Sequence, residues 1–95
     1  MRLRPHETEI IGARVTKDGH VIADENESRI AWLIENAFVK LAIADGGWST
    51  LYRDKEDHRL WEVTYPQSEM QGGGPRSIRM LTAAAATQKY EFSFA

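Results

Sequence analysis

The sequence predicts an α+β domain: an antiparallel sheet of about four to five strands with one long and one short helix packed against it, in the order ββαβββα. Three observations carry this. Ile30, Leu33, Ile34, Ala37, Phe38 and Leu41 form one apolar stripe at helical spacing. Short β-branched and aromatic runs lie before and after it, joined by turn residues. Four consecutive alanines, Ala83 to Ala86, mark a second helix near the end. Strands joined by tight turns make antiparallel sheets, and an amphipathic helix must bury its stripe against them.

Taken in order, strands are expected at about 9 to 16 and 20 to 23, because Asp18-Gly19 separates two β-branched runs and a type I′ turn needs positive φ at both central residues. Asp24 or Asn26 then caps a helix, and Glu25 and Glu27 complement its positive end. Trp32, Val39 and Ile43 add a narrower second stripe, so the helix is expected over about 25 to 43, closed by Asp45-Gly46-Gly47. An aromatic hairpin follows, Trp48 to Arg53 and Arg59 to Tyr65, around the charged turn Asp54-Lys55-Glu56-Asp57-His58. Alternation places Trp48, Thr50 and Tyr52 on one face and Trp61, Val63 and Tyr65 on one face. Either the helix covers those aromatics, or it covers Leu51 and Leu60 and leaves them as a binding surface. Pro66 ends the strand, Gln67 to Pro75 form a loop, Ser77 to Leu81 a further strand, and Thr82 caps a helix from Ala83 to about Tyr90.

Ninety-five residues supply one core, so residues 1–95 are read as a single domain. With 42% apolar and 27% charged residues, the chain has globular rather than disordered composition. It has no cysteine, which excludes disulfides and thiolate metal sites. The opening residues show no apolar leader, and no apolar run approaches a membrane span of about 20 residues. A soluble cytoplasmic protein is therefore expected, with no membrane partner. Net charge is −2, but residues 18 to 62 hold ten acids against five bases. Such a middle disfavours nucleic acid and favours a basic protein partner.

Catalytic and ligand motifs read poorly. Gly72-Gly73-Gly74 leads through Pro75-Arg76 into a strand, whereas a phosphate loop leads into a helix with Lys-Ser/Thr at its end. His6, His20 and His58 are scattered and form no metal-ligand spacing, so neither metal nor cofactor is expected. Glu62 and Glu69 could form an acid-base pair. In mid-strand, however, Glu62 reads as a solvent-facing partner of Arg53 or Arg59. The candidates for charged contact with a protein are Asp54, Glu56 and Asp57 in the turn, Asp24, Glu25 and Glu27 at the helix start, and Glu69.

Two stretches carry a specific likeness: Trp48-x-x-Leu51-Tyr52-Arg53-Asp54, and Arg59-x-Trp61-Glu62-x-Thr64-Tyr65-Pro66-x-Ser68-Glu69-Met70-x-Gly72-Gly73-Gly74-Pro75. With residues 21 to 25 and 29 to 34, they resemble the immunity protein 27 family of bacterial polymorphic toxin systems. Gln71 stands where that pattern has His, and Lys55 and His58 replace a Pro and a Gly, which marks the charged turn as variable. The resemblance implies a non-enzymatic inhibitor that binds and neutralises a cognate toxin domain, a nuclease among the candidates, as a monomer or weak homodimer. The alternative is a small enzyme or nucleotide-binding domain using the loop 69 to 76.

Overall fold

The computed structural model describes residues 2–67 and 74–90. The strands are β1 (Glu9–Ile11), β2 (Arg14–Lys17), β3 (His20–Ala23), β4 (Phe38–Ala44), β5 (Ser49–Asp54), β6 (Leu60–Thr64) and β7 (Ser77–Leu81), and the helices are α1 (Glu25–Asn36) and α2 (Ala83–Tyr90). Five strands form one antiparallel sheet in the order β1-β7-β6-β5-β4, while β2 and β3 form a separate two-stranded sheet. The predicted class stands, with the first strand divided at Gly12-Ala13 and an extra strand, β4, after α1. No helix among the described residues is long and apolar enough to cross a membrane.

The main correction concerns the long helix, which ends at Asn36 rather than near residue 43. The Ala37 amide closes the last turn on Leu33 O at 2.9 Å, and the Ala37 carbonyl accepts from Lys55 N at 2.9 Å. That tie to the β5–β6 turn diverts the chain into β4, which pairs along β5. An irregularity between Lys40 and Ala42 switches faces. Phe38 is thereby buried with α1, while Ala42 and Ala44 pack on the opposite side. A stripe that fits a helix also fits a strand once one residue is bulged.

Both faces of the large sheet are covered, each by its own helix. On one face Ile30 and Leu33 of α1 pack with Ile10, Phe38, Tyr52, Trp61, Val63 and Ile78. Phe38 stacks on Trp61 with ring centroids 6.4 Å apart and lies 5.6 Å from Tyr52. On the other face Ala86 and Tyr90 of α2 cover Leu51 and Leu60. Of the two placements left open for the aromatic hairpin, the first holds for Tyr52 and Trp61, which α1 covers, while Leu51 and Leu60 are covered by α2 instead. Thr82 caps α2 as expected, its Oγ1 accepting from Ala85 N at 3.1 Å.

The hairpin of β2 and β3 stands apart from this core as an arm. Every residue of both strands is exposed. Its tip is the expected turn, with Asp18 at φ 52° and Gly19 at φ 79°. Asp24 holds the base: its Oδ1 accepts from Ala13 N at 3.1 Å and from Glu27 N at 2.8 Å, capping α1. Gly12 sits where the arm leaves the sheet, and a Cβ there would lie 2.4 Å from Arg76 O. We therefore expect Gly12→Ala to destabilise the domain by about 2 kcal/mol or more, since a backbone atom must move. Gly19→Ala, in open space, costs about 1 kcal/mol for its positive φ alone. Chemical denaturation of the two variants measures the difference.

Candidate partner-binding surface

The N-terminal segment lies between α1 and the β5–β6 turn, held by two arginines. Arg29 on α1 donates to both carboxylate oxygens of Glu7, each at 2.6 Å, and to Arg2 O at 2.6 Å. Arg59, at the end of the turn, donates to Glu7 O at 2.8 Å and Arg4 O at 3.2 Å, and its guanidinium lies over the Trp61 ring at 5.1 Å. The Arg29 hydrogen bonds hold the Glu7 carboxyl at about 2, below its usual 4.5, against the opposing effect of burial. Arg29 is raised in return.

The predicted acids divide into three groups. Three serve the frame. Asp54 is only 4% exposed, and its Oδ1 accepts from Glu56 N at 2.8 Å to shape the turn. Asp24 caps α1. Glu27 takes Arg76 in a fork, its Oε2 accepting from Arg76 N at 2.8 Å and its Oε1 from Arg76 Nε at 2.9 Å. None of these three side chains extends freely into solvent, because turn and cap carboxylates fold back onto nearby amides and guanidinium groups. Glu25, Glu56 and Asp57 are exposed. Glu56 meets Arg2 at 3.1 Å, and Asp57 meets Arg59 Nε at 2.6 Å. Burial would raise the Asp57 carboxyl, but the Arg59 hydrogen bonds outweigh it and leave the group lowered. Glu69 lies outside the described residues.

The turn lies at the C-terminal end of α1, tied by Lys55 N to Ala37 O, and the helix start at the other end, with Arg2 reaching between them along one side of the helix. Arg2, which pairs with Glu56 and stacks over Trp32 at 6.0 Å, also lines a cleft of about 570 Å³ with Arg4, Asp24, Glu25 and Arg29. That side is of mixed charge rather than acidic. Of the ten acids between residues 18 and 62, seven are engaged by partners within the domain. Arg2, Arg76, Arg79 and Lys89, which neutralise four of them, come from outside that block. The acid excess of the middle is therefore a property of the linear sequence and not of the surface.

Glu62 requires the largest revision. It is fully buried rather than facing solvent, because α2 covers its side of the sheet. Its partners are Tyr90 Oη at 2.7 Å, Lys89 Nζ at 2.7 Å and Arg79 Nε at 3.1 Å, not Arg53 or Arg59. Burial pushes its carboxyl up, yet the Lys89 and Tyr90 hydrogen bonds prevail and hold it below the usual range. The burial and the Glu62 hydrogen bond push the Tyr90 hydroxyl well above its ordinary value. Arg76, pinned to Glu27 on α1, stands on the opposite face, so the two groups do not converge around the loop 69 to 76. Among the described residues no three His, Cys, Asp or Glu side chains are grouped to hold a metal ion.

Two exposed apolar features escaped sequence reasoning. Trp48 is 50% exposed and meets Tyr65 edge-on at 5.4 Å. The arm carries Val15, Val21 and Ile22, all exposed. The signal for the first was its place beside Gly46-Gly47, beyond the reach of a helix that ends at Asn36; for the second it was the β-branched run on a hairpin that pairs with no other strand among the described residues.

The geometry thus defines a small α+β domain presenting a mixed-charge side and a projecting arm. The model of the family Immunity protein 27 matches residues 16–82, and the chain belongs to that family. No curated protein and no solved structure matches it.

Glu7 also contributes to the pH response. Its folded value of about 2 lies below its unfolded value near 4.5, so its contribution is complete above that unfolded value and disappears as pH falls through the folded one. We expect Glu7→Gln to lower stability by about 1–3 kcal/mol at pH 7 and to flatten the fall between about pH 5 and 2. Thermal melts of both proteins across that range measure this.

Proposed function

We propose that this chain binds and neutralises a cognate bacterial toxin domain in the cytoplasm of the cell that makes it, stoichiometrically and without altering any bond. Membership of the Immunity protein 27 family carries the proposal. The side bearing Glu25, Glu56 and Asp57, with Arg2 and Arg4 between them, is the contact side. Asp24, Glu27 and Asp54 act behind it by fixing the helix start and the turn. The mixed charge of this side suits partner discrimination, where the arrangement of signs matters more than their sum. The alternative, a small enzyme or nucleotide-binding domain, calls for Glu62, Glu69 and Arg76 around one pocket; Glu62 and Arg76 stand on opposite faces of the sheet, and Glu69 lies outside the described residues.

The test pairs this chain with the last domain encoded by the gene immediately upstream. The two should co-purify at equal stoichiometry, and the chain should abolish that domain's toxicity in cells. Reversing two of its three exposed carboxylates (Glu25→Lys with Glu56→Lys) should weaken binding about tenfold or more. Glu9→Lys, on the α2 face, should change it by less than about twofold. Equal affinities for the two variants would move the contact elsewhere.

A further inference from the structure

We propose that the outer edge of β3 takes up an extended strand of the toxin domain, an inference that rests on the function proposed above. In a two-residue hairpin closed by Lys17 and His20, alternate pairs bond inward. Lys17/His20 and Val15/Ile22 carry those bonds, and the pattern continues to Asp24 N on Ala13 O at 2.9 Å. The amides and carbonyls of Val21 and Ala23 therefore point away from β2. Among the described residues nothing pairs with them.

The two edges of the arm differ in chemistry. Along β2 run Arg14, Val15, Thr16 and Lys17, and charges at both ends guard an edge against pairing. Along β3 run His20, Val21, Ile22 and Ala23, with no carboxylate, lysine, arginine or proline. Val21 is 69% exposed and Ile22 42%. A two-stranded ribbon is marginal in water by itself, and a third strand stabilises it. Backbone pairing on such an edge accepts an extended segment with β-branched or other uncharged side chains.

The observations favour a partner polypeptide over a second copy of this chain. Four residues of edge bury far less than the roughly 1,200 Å² of a stable interface, so the edge must be part of a larger contact. It is: Ala23 leads directly through Asp24 to Glu25, and all three line the cleft on the mixed-charge side. Strand and charged side form one continuous surface.

The experiment is amide hydrogen exchange by NMR on the full chain, with and without the upstream-encoded domain as probe. The Val21 and Ala23 amides should slow by about tenfold or more on binding, with Thr16 unchanged. Val21→Pro removes one outward amide without touching an inward bond and should weaken binding about 5- to 30-fold, whereas Thr16→Pro, its counterpart on β2, should not. Protection of Thr16 instead, or unchanged exchange in a complex that forms, overturns the edge assignment and leaves the toxin reading standing. Protection that rises with protein concentration in the absence of the probe assigns the edge to a second copy and overturns it too. No binding by the unaltered chain overturns the toxin reading and this proposal together. The exchange measurement needs no variant, so it decides the matter even where proline disturbs the arm.

Discussion

The fork between Glu27 and Arg76 is the interaction on which the arrangement of this protein depends. It joins the first turn of α1 to the segment entering β7, and the Arg76 carbonyl in turn accepts from Gly12 N at 2.9 Å. Asp24 caps the same helix turn and grips Ala13. Helix start, arm base, β1 and β7 thus meet at one joint of carboxylate and amide groups. A charge-assisted fork fixes direction as well as distance. The direction in which the arm projects follows from it.

The same economy governs the rest of the charge. Carboxylates that look in sequence like a reservoir for binding basic partners are largely consumed in closing turns, capping α1 and fastening the N-terminal segment. Glu62 is the extreme case, buried beneath α2 and matched by Lys89, Arg79 and Tyr90. Burying a carboxylate costs several kcal/mol unless partners compensate, and its three partners tie β6 to β7 and α2. Among the described residues, exposed charges of both signs remain, Asp18, Glu25 and Glu35 on one hand and Lys17, Lys40 and Lys55 on the other. Recognition by such a surface depends on pattern and shape more than on long-range attraction.

The elements with local causes were legible in the sequence. Asp18-Gly19 dictated its turn, Asp24 its cap, Thr82 the start of α2, and alternation placed Tyr52, Trp61 and Val63 together. The end of α1 was not legible, because Phe38, Leu41 and Ile43 satisfy a helical stripe and a bulged strand equally. Only the pairing of β4 with β5 decides between them, and that contact is non-local. Glu62 shows the same limit. Its strand and its face, opposite Trp61 and Val63, were readable, but its partners depend on the register of β6 against β7 and on where α2 lands. The exposure of Glu25, Glu56 and Asp57 was legible from their places at the helix start and in the turn. Asp24, Asp54 and Glu27 have the same composition and spacing, and only their amide and guanidinium neighbours distinguish them.

The central claim is that these carboxylates act first within the domain, and a double-mutant cycle on the Glu27–Arg76 fork tests it most directly. Stabilities of the unaltered chain, Glu27→Gln, Arg76→Gln and the double variant, measured by denaturant unfolding at neutral pH, should give a coupling of roughly 1–3 kcal/mol. Losses that add to within about 0.3 kcal/mol would show two independent surface charges and contradict the account.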